Sequence, residues 1–189
     1  VTGYHSLAET EQAVRDKLGD IPLQWQRMEA IANLHRAAMA VRLHFENSVL
    51  RTADLTWTAF VVLWVVWIWG EKETHHVAQE AGITKGTLTG VVKTLESRGL
   101  VTRSRHPEDG RLVLLALTGS GETLMRNLFP AFNAEEAFVT DRLGDRECGR
   151  LANALRTIIT QLEQRGEERR AEMRTRGVPP RRSGRRRRG

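Results

Sequence analysis

A chain of 189 residues, 40% hydrophobic and 28% charged, is long enough to bury one core with appended helices and a tail. The net charge of +6 points to a polyanionic partner, yet from Arg165 onward eleven arginines oppose three glutamates, an excess of eight charges that leaves the preceding body at −2. A single cysteine, Cys148, excludes an intrachain disulfide framework, and Glu9 and Glu11 stand where a secretory leader would carry basic residues, so a cytoplasmic protein is expected.

Residues 1–22 are polar and end in Gly19-Asp20-Ile21-Pro22, an N-terminal extension closed by a turn. Residues 23–54 read as one long helix. Between Leu23 and Leu50, Met28, Ile31, Ala32, Leu34, Ala38, Val41, Phe45 and Val49 recur at three and four, which predicts a single buried stripe. Asp54-Leu55-Thr56 breaks the pattern. The run from Ala59 to Trp69 is apolar all round but only about half the ~20 residues a membrane span needs. It reads as the central helix of an all-helical core, and no membrane association is expected.

Residues 55–118 carry the most specific pattern. Thr74 to Ala81 is a short helix with Thr74 as candidate N-cap, and Gly82 can take the left-handed turn that ends it. Thr84 can cap the next helix. Its apolar positions are Leu88, Val91, Val92 and Leu95, with Leu100 just beyond, while Lys85, Gly86, Thr89, Gly90 and Lys93 fall on the opposite side. After Gly99 the period changes to two in Leu100–Arg105 and again in Arg111–Leu117, around Pro107-Glu108-Asp109-Gly110, which predicts a hairpin. Helix, turn, helix and hairpin together present a polar helix for a major groove, with Thr84, Lys85, Thr87, Thr89 and Lys93 free for bases and phosphates. Arg103 and Arg105 share one strand face, where they either address phosphate or guard the edge against pairing.

Residues 119–166 read as two further helices, the first interrupted near Pro130, the second from about Asp145 to Gln164 with the stripe Leu151, Ala154, Leu155, Ile158, Ile159 and Leu162. Residues 167–189 have almost no apolar content and are expected to form a disordered arginine-rich tail, either attracting phosphate without regard to sequence or merely solubilising. The fold class is therefore mainly α with a small β-hairpin wing, a winged helix-turn-helix between N- and C-terminal helices.

The segment VAQEAGITKGTLTGVVKTLESRGLVTRSRHPEDGRLVLLALT resembles the DNA-binding lobe of the MarR (multiple antibiotic resistance regulator) family. The specific residues are Asp109-x-Arg111 followed by an apolar strand and Leu117-Thr118, preceded by Leu95-Glu96 and Arg98-Gly99-Leu100-Val101, and the likeness extends over about residues 24–165. The resemblance implies a sequence-specific regulator, a repressor on a pseudopalindromic operator in double-stranded DNA. Its first and last helices would interlock with those of a second copy in a homodimer. It also implies that Arg111 enters a minor groove and that Asp109 aims it, a role that charge-assisted hydrogen bonds from a guanidinium can serve. Family members commonly hold a ligand between the dimerisation helices and the DNA-binding lobe. Trp25, His35, Arg42, Trp57 and Trp64 are the candidates for such a pocket, which would suit a small organic anion or a phenolic compound. A tryptophan in an apolar helix is more often simply core. The extension with Trp25 resembles the urate-responsive branch, but Val61 and Gly90 stand where that branch has an acidic residue and an arginine. Peroxide-sensing relatives keep a cysteine near the start of the first helix, which Cys148 does not match.

An enzyme is not expected: there is no nucleophile paired with a base and no phosphate-cradling loop, and Gly119-Ser120-Gly121 reads as a helix start. Neighbouring His75 and His76 are expected to diverge on their helix without an acidic partner at ligand spacing, so neither a metal nor a cofactor is assigned. The alternative to a regulator is an architectural protein binding DNA through the tail without reading its sequence.

Overall fold

The computed structural model describes residues 5–176. Its elements follow the chain as α1 (Leu7–Leu18), α2 (Trp25–Asn47), α3 (Val49–Thr52), α4 (Trp57–Trp69), β1 (Lys72–Glu73), α5 (Thr74–Glu80), α6 (Lys85–Ser97), β2 (Val101–Arg105), β3 (Val113–Leu117), α7 (Gly119–Val139) and α8 (Asp145–Thr175). They divide into two units in sequence, the first ending at Val139 and the second beginning at Thr140. Among the described residues no single helix is long and apolar enough to cross a membrane.

The winged helix-turn-helix expected from the sequence is present, built around α4. Because α4 is apolar on every side, it can be covered from several directions at once: Ala59, Phe60, Val62, Leu63, Val65 and Val66 are all buried. The largest fully buried side chains include Leu50 of α3, Leu63 of α4, Leu88 and Leu95 of α6, Leu115 of β3 and Met125 of α7, so one core joins five elements. Burial of each such side chain contributes about 1.5–3 kcal/mol. Thr56 caps α4 by accepting from the Ala59 N–H at 3.2 Å.

Three helices end in the same way. The residues just beyond α3, α5 and α6 that take positive φ are Asp54 (51°), Gly82 (64°) and Gly99 (67°). In each case the next N–H reaches back five residues, from Leu55 to the Leu50 carbonyl, from Ile83 to Ala78 and from Leu100 to Leu95, at 3.0 Å each. This paired closure satisfies carbonyls that a helix end otherwise leaves open, and it turns an apolar residue back onto the core. Glycine fits the turn at two of the three sites; Asp54 adopts it with a side chain present.

The hairpin pairs β2 with β3 in the register Val101↔Leu117 to Arg105↔Val113. A third strand, not anticipated from the sequence, completes the sheet in the order β1-β3-β2, with Lys72 opposite Leu115 and Glu73 opposite Leu114. Two residues are too few to show a period, and β1 exists because it covers the free edge of β3.

Four other expectations need correction. The helix predicted over Leu23–Leu50 stops at Asn47 and restarts at Val49, because Ser48 leaves helical geometry (φ −106°, ψ −104°). The break turns Val49 and Leu50 into the core, whereas of the stripe residues on α2 only Phe45 is buried and Ile31 lies exposed, as do Met39 and Leu43 outside the stripe. Pro130 does not interrupt α7. A proline inside a helix removes one hydrogen bond and costs about 3 kcal/mol; here the residues flanking it, Phe129 and Phe132, stack on Trp64 and Phe60 of α4 at 5.0 and 4.3 Å between ring centroids, which offsets that loss. Finally, residues 167–175 are helical and not disordered. In the second unit α8 runs on to Thr175 through close pairs of opposite charge, Arg170 with Glu167 at 2.8 Å, Arg169 with Glu172 at 2.7 Å and Arg174 with Glu167 at 2.9 Å, a ladder that needs no apolar face. The remainder of the expected tail, residues 177–189, lies outside the described residues.

At the base of the wing, Thr118 closes α6, the hairpin and α7 together: its hydroxyl donates to the Gly99 carbonyl at 2.6 Å and accepts from the Gly121 N–H at 3.0 Å. Gly121 then packs directly on the backbone of Leu100. A Cβ there would overlap the Leu100 carbonyl oxygen, with the carbonyl carbon at 3.1 Å and Leu117 Cδ2 at 3.3 Å. Gly121→Ala is therefore expected to lower stability by about 1–3 kcal/mol, measured as a drop in the denaturant midpoint; an unchanged midpoint would show that this contact has slack.

Candidate nucleic-acid interface

The recognition helix, α6, is held by one face. Thr84 takes extended geometry (φ −75°, ψ 155°) and its hydroxyl accepts from the Thr87 N–H at 3.1 Å, which starts the helix cleanly. Leu88, Val92 and Leu95 face inward, while Lys85, Thr87, Thr89 and Lys93 are all exposed. The hydroxyls of Thr84 and Thr87 lie 2.9 Å apart, and Thr89 donates to the Lys85 carbonyl at 2.9 Å, so these oxygens are oriented before any ligand arrives. Val77 and Ala78 of α5 are buried, and a small residue at 78 allows the two helices to approach closely.

The wing tip is organised by two residues. His106 Nδ1 accepts from the backbone N–H groups of Glu108 and Asp109 at 3.2 and 3.3 Å. Asp109 in turn holds Arg111: Arg111 Nε to Oδ1 at 3.1 Å, Nη2 to Oδ2 at 3.3 Å, and the Arg111 N–H to Oδ1 at 3.0 Å. The Arg111 side chain is 90% exposed, so the fork orients a guanidinium without removing it from solvent. The Arg111 guanidinium and then its backbone N–H hold the Asp109 carboxyl below its ordinary range.

Arg103 and Arg105, grouped together by the sequence, have different partners in the structure. Arg103 donates from Nε to Glu96 Oε1 at 3.2 Å and from Nη2 to the other carboxylate oxygen, and this bidentate hydrogen bond raises the arginine's pKa. It thus joins strand β2 to the end of α6, fixing the wing against the recognition helix. Arg105 is exposed farther along the strand.

Arg98 was legible only as part of a motif. Its guanidinium donates to the carbonyls of Ala53, at 2.9 Å, and Asp54, anchoring the end of α6 to the turn between α3 and α4. Neither this bond nor that of Glu96 follows from periodicity, since the partners lie on different elements.

The five effector candidates do not converge within one chain. Trp25 and Arg42 sit 17 residues apart on α2, about 25 Å along its axis at 1.5 Å per residue. Trp25 lines a 270 Å³ cleft between α1 and α2 with Val14, Leu18, Met28 and Arg36, whereas His35 is exposed. Arg42 pairs with Glu46, whose carboxylate also accepts from the Trp57 N–H at 3.0 Å. Trp57 and Trp64 belong to the aromatic stack between α4 and α7. The expected divergence of His75 and His76 is also wrong. Their ring centroids are 3.9 Å apart, and Glu73, on the strand just before, lies 3.0 Å from His75.

An outward polar helix with an arginine-tipped wing fixed to it defines a winged helix-turn-helix DNA-binding regulator. Residues 55–113 match the MarR family, which covers this lobe. The chain is 33% identical over 162 residues to the HTH-type transcriptional regulator YwaE of Bacillus subtilis, an alignment covering 84% of this chain and 95% of that one. With MgrA of Staphylococcus aureus, another HTH-type transcriptional regulator, it shares 26% over 136 residues, 72% of this chain and 91% of the relative. The solved structure of Bordetella bronchiseptica BpsR, whose DNA binding is regulated by 6-hydroxynicotinic acid, superposes with a TM-score of 0.63 at 26% identity, covering 69% of this chain and 98% of BpsR. The chain belongs to the MarR family of DNA-binding transcriptional regulators.

Asp109 offers a test by pH. Its lowered folded-state pKa means that the ionised, Arg111-bound form contributes above the unfolded pKa and is lost as pH falls through the still lower folded value. The Arg111 Nε–H resonance is therefore expected to keep its bonded position from neutral pH to below the ordinary aspartate value of 3.8; a transition at or above that value would show that the fork is not formed in solution.

Proposed function

We propose that this chain is a cytoplasmic repressor that binds a pseudopalindromic operator as a homodimer and is released by a small aromatic or anionic ligand. The observation that carries the DNA-reading part is the joint projection of α6 and Arg111: Lys85, Thr87, Thr89 and Lys93 are exposed on the helix, and the guanidinium is oriented by Asp109. The helix suits a major groove about 12 Å wide, and an extended arginine suits the negative potential of a narrow minor groove alongside. Thr84 and Arg105 border the helix and the wing, and Arg103 serves the interface by holding the two together.

Unpartnered apolar faces support the homodimer. Ile31, Met39 and Leu43 on α2, and Leu151, Ile159 and Leu162 on α8, are each at least 43% exposed. Stripes of this kind are ordinarily covered by another surface, and a two-fold pairing would set two recognition helices about one DNA turn apart.

The effector reading draws on BpsR, a relative in fold and sequence regulated by a small aromatic acid. In this chain Trp25, His35, Arg42, Trp57 and Trp64 would need to be regrouped, by a second copy, to serve one ligand. The α1–α2 cleft around Trp25 is the concave candidate, lined by the apolar Val14, Leu18 and Met28 together with Arg15, Arg36, Glu11 and Glu29.

Genomic footprinting would identify the operator, and titration of that site measures the assignment. Arg111→Ala is expected to weaken operator binding by about 1–3 kcal/mol, roughly 5- to 150-fold, while the protein stays folded and dimeric by sedimentation. Equal affinity would remove Arg111 from the interface. Random-sequence competitor separates this reading from an architectural one: a regulator keeps a preference of about 4 kcal/mol or more for its operator.

A further inference from the structure

We propose that Glu73, His75 and His76 form a binding site for a borderline transition-metal dication, zinc being the representative ion, at the junction of the wing sheet and the helix-turn-helix. One donor atom from each of the three residues falls within 4.8 Å of the other two. The backbone explains how four consecutive residues achieve this. Glu73 ends β1 in extended geometry (φ −62°, ψ 140°) and is the N-cap of α5, so its side chain leaves the chain in a different direction from those of the first helical turn. Its carboxylate makes no capping hydrogen bond. It turns instead to His75, with Oε2 3.0 Å from Nδ1, while the His76 ring lies over that of His75 at 3.9 Å between centroids.

Two imidazoles and one carboxylate are the donor types that select zinc, nickel, cobalt or copper over magnesium and calcium, which prefer all-oxygen sets. Zinc takes nitrogen and oxygen ligands at about 2.0–2.2 Å. Donors on one ion then stand roughly 3.3 Å apart, so side-chain rotation alone closes the cluster. The His75 side chain is 54% and that of Glu73 22% exposed, leaving an open side for water or a further ligand. Glu73 is paired with Leu114 of β3, and His75 and His76 open the first helix of the DNA-binding motif. An ion here would therefore cross-link the sheet that bears the wing to the helix that supports α6. The metal site stands on these three residues and does not depend on the operator reading.

The test uses the full chain, freed of metal with a chelator and titrated with zinc in competition with a chromophoric chelator, followed by thermal melting. One zinc per chain is expected, with the melting temperature raised by the ion, since a ligand bound only to the folded state stabilises it. His75→Ala and His76→Ala are each expected to weaken binding by about tenfold or more and to reduce the zinc-dependent rise accordingly. Glu73→Gln, which keeps the side chain's shape, is expected to weaken it as well, and His5→Ala to leave it unchanged. All four positions are exposed or half-buried, so the metal-free variants are expected to melt like the parent. Absence of zinc binding at about 100 µM, or binding that survives both histidine substitutions, would overturn the site.

Discussion

Everything the DNA-binding lobe can do depends on α6 being gripped by one face only. Leu88, Val92 and Leu95 are removed from water, and the other side of the same helix contributes nothing to the core. Such an arrangement requires that the partner, α4, offer apolar surface in every direction, because α4 must also receive α7, α5 and β3. A helix made, apart from Thr58 and Ala59, of Trp, Val, Leu, Ile and Phe meets that demand where an ordinary amphipathic helix could not. The composition of α4, which in isolation suggests a membrane, is thus a condition for leaving α6 free to face a ligand.

Burial alone would not fix the angle between α6 and the wing. That is done by polar contacts at the end of the helix. Arg98 ties its last turn to the carbonyls of Ala53 and Asp54, Arg103 ties the first wing strand back to Glu96, and Thr118 joins Gly99 to the start of α7. Exposed ion pairs contribute little free energy individually, on the order of 0–1 kcal/mol. Their value lies in geometry: bidentate arginine contacts select one orientation among several that the apolar core would tolerate.

How much of this was legible in the sequence follows from what makes each feature. Elements defined by period and turn chemistry were readable: α6 from Leu88, Val92 and Leu95, its start from Thr84, its end from Gly99, and the wing from alternation on both sides of Pro107–Gly110. The Asp109–Arg111 fork was expected from the family resemblance and not from spacing alone, since an Asp-x-Arg turn is equally compatible with a plain surface ion pair. Features that join separate elements were not. Glu96 and Arg103 stand on a helix and a strand, β1 has only two residues, and the continuation of α8 beyond Gly166 rests on charge pairs in a stretch whose low apolar content suggests disorder. The grouping of Glu73 with the two histidines needs the backbone to change from strand to helix between them, which no helical wheel represents. The aromatic residues were recognised, but their division between the α1–α2 cleft and the α4–α7 stack depends on packing.

The absence of a side chain at Gly121 has a mechanical meaning. The first turn of α7 rests on the peptide of Leu100, at the root of the hairpin, with no compressible side chain between them. Packed protein interiors deform little. A tilt imposed on the middle of α7, where Phe129 and Phe132 mesh with α4, would therefore meet little slack before it reached the hairpin. The contact thus offers a fulcrum, at which a rigid shift of the helix would be passed to the hairpin as a change of angle.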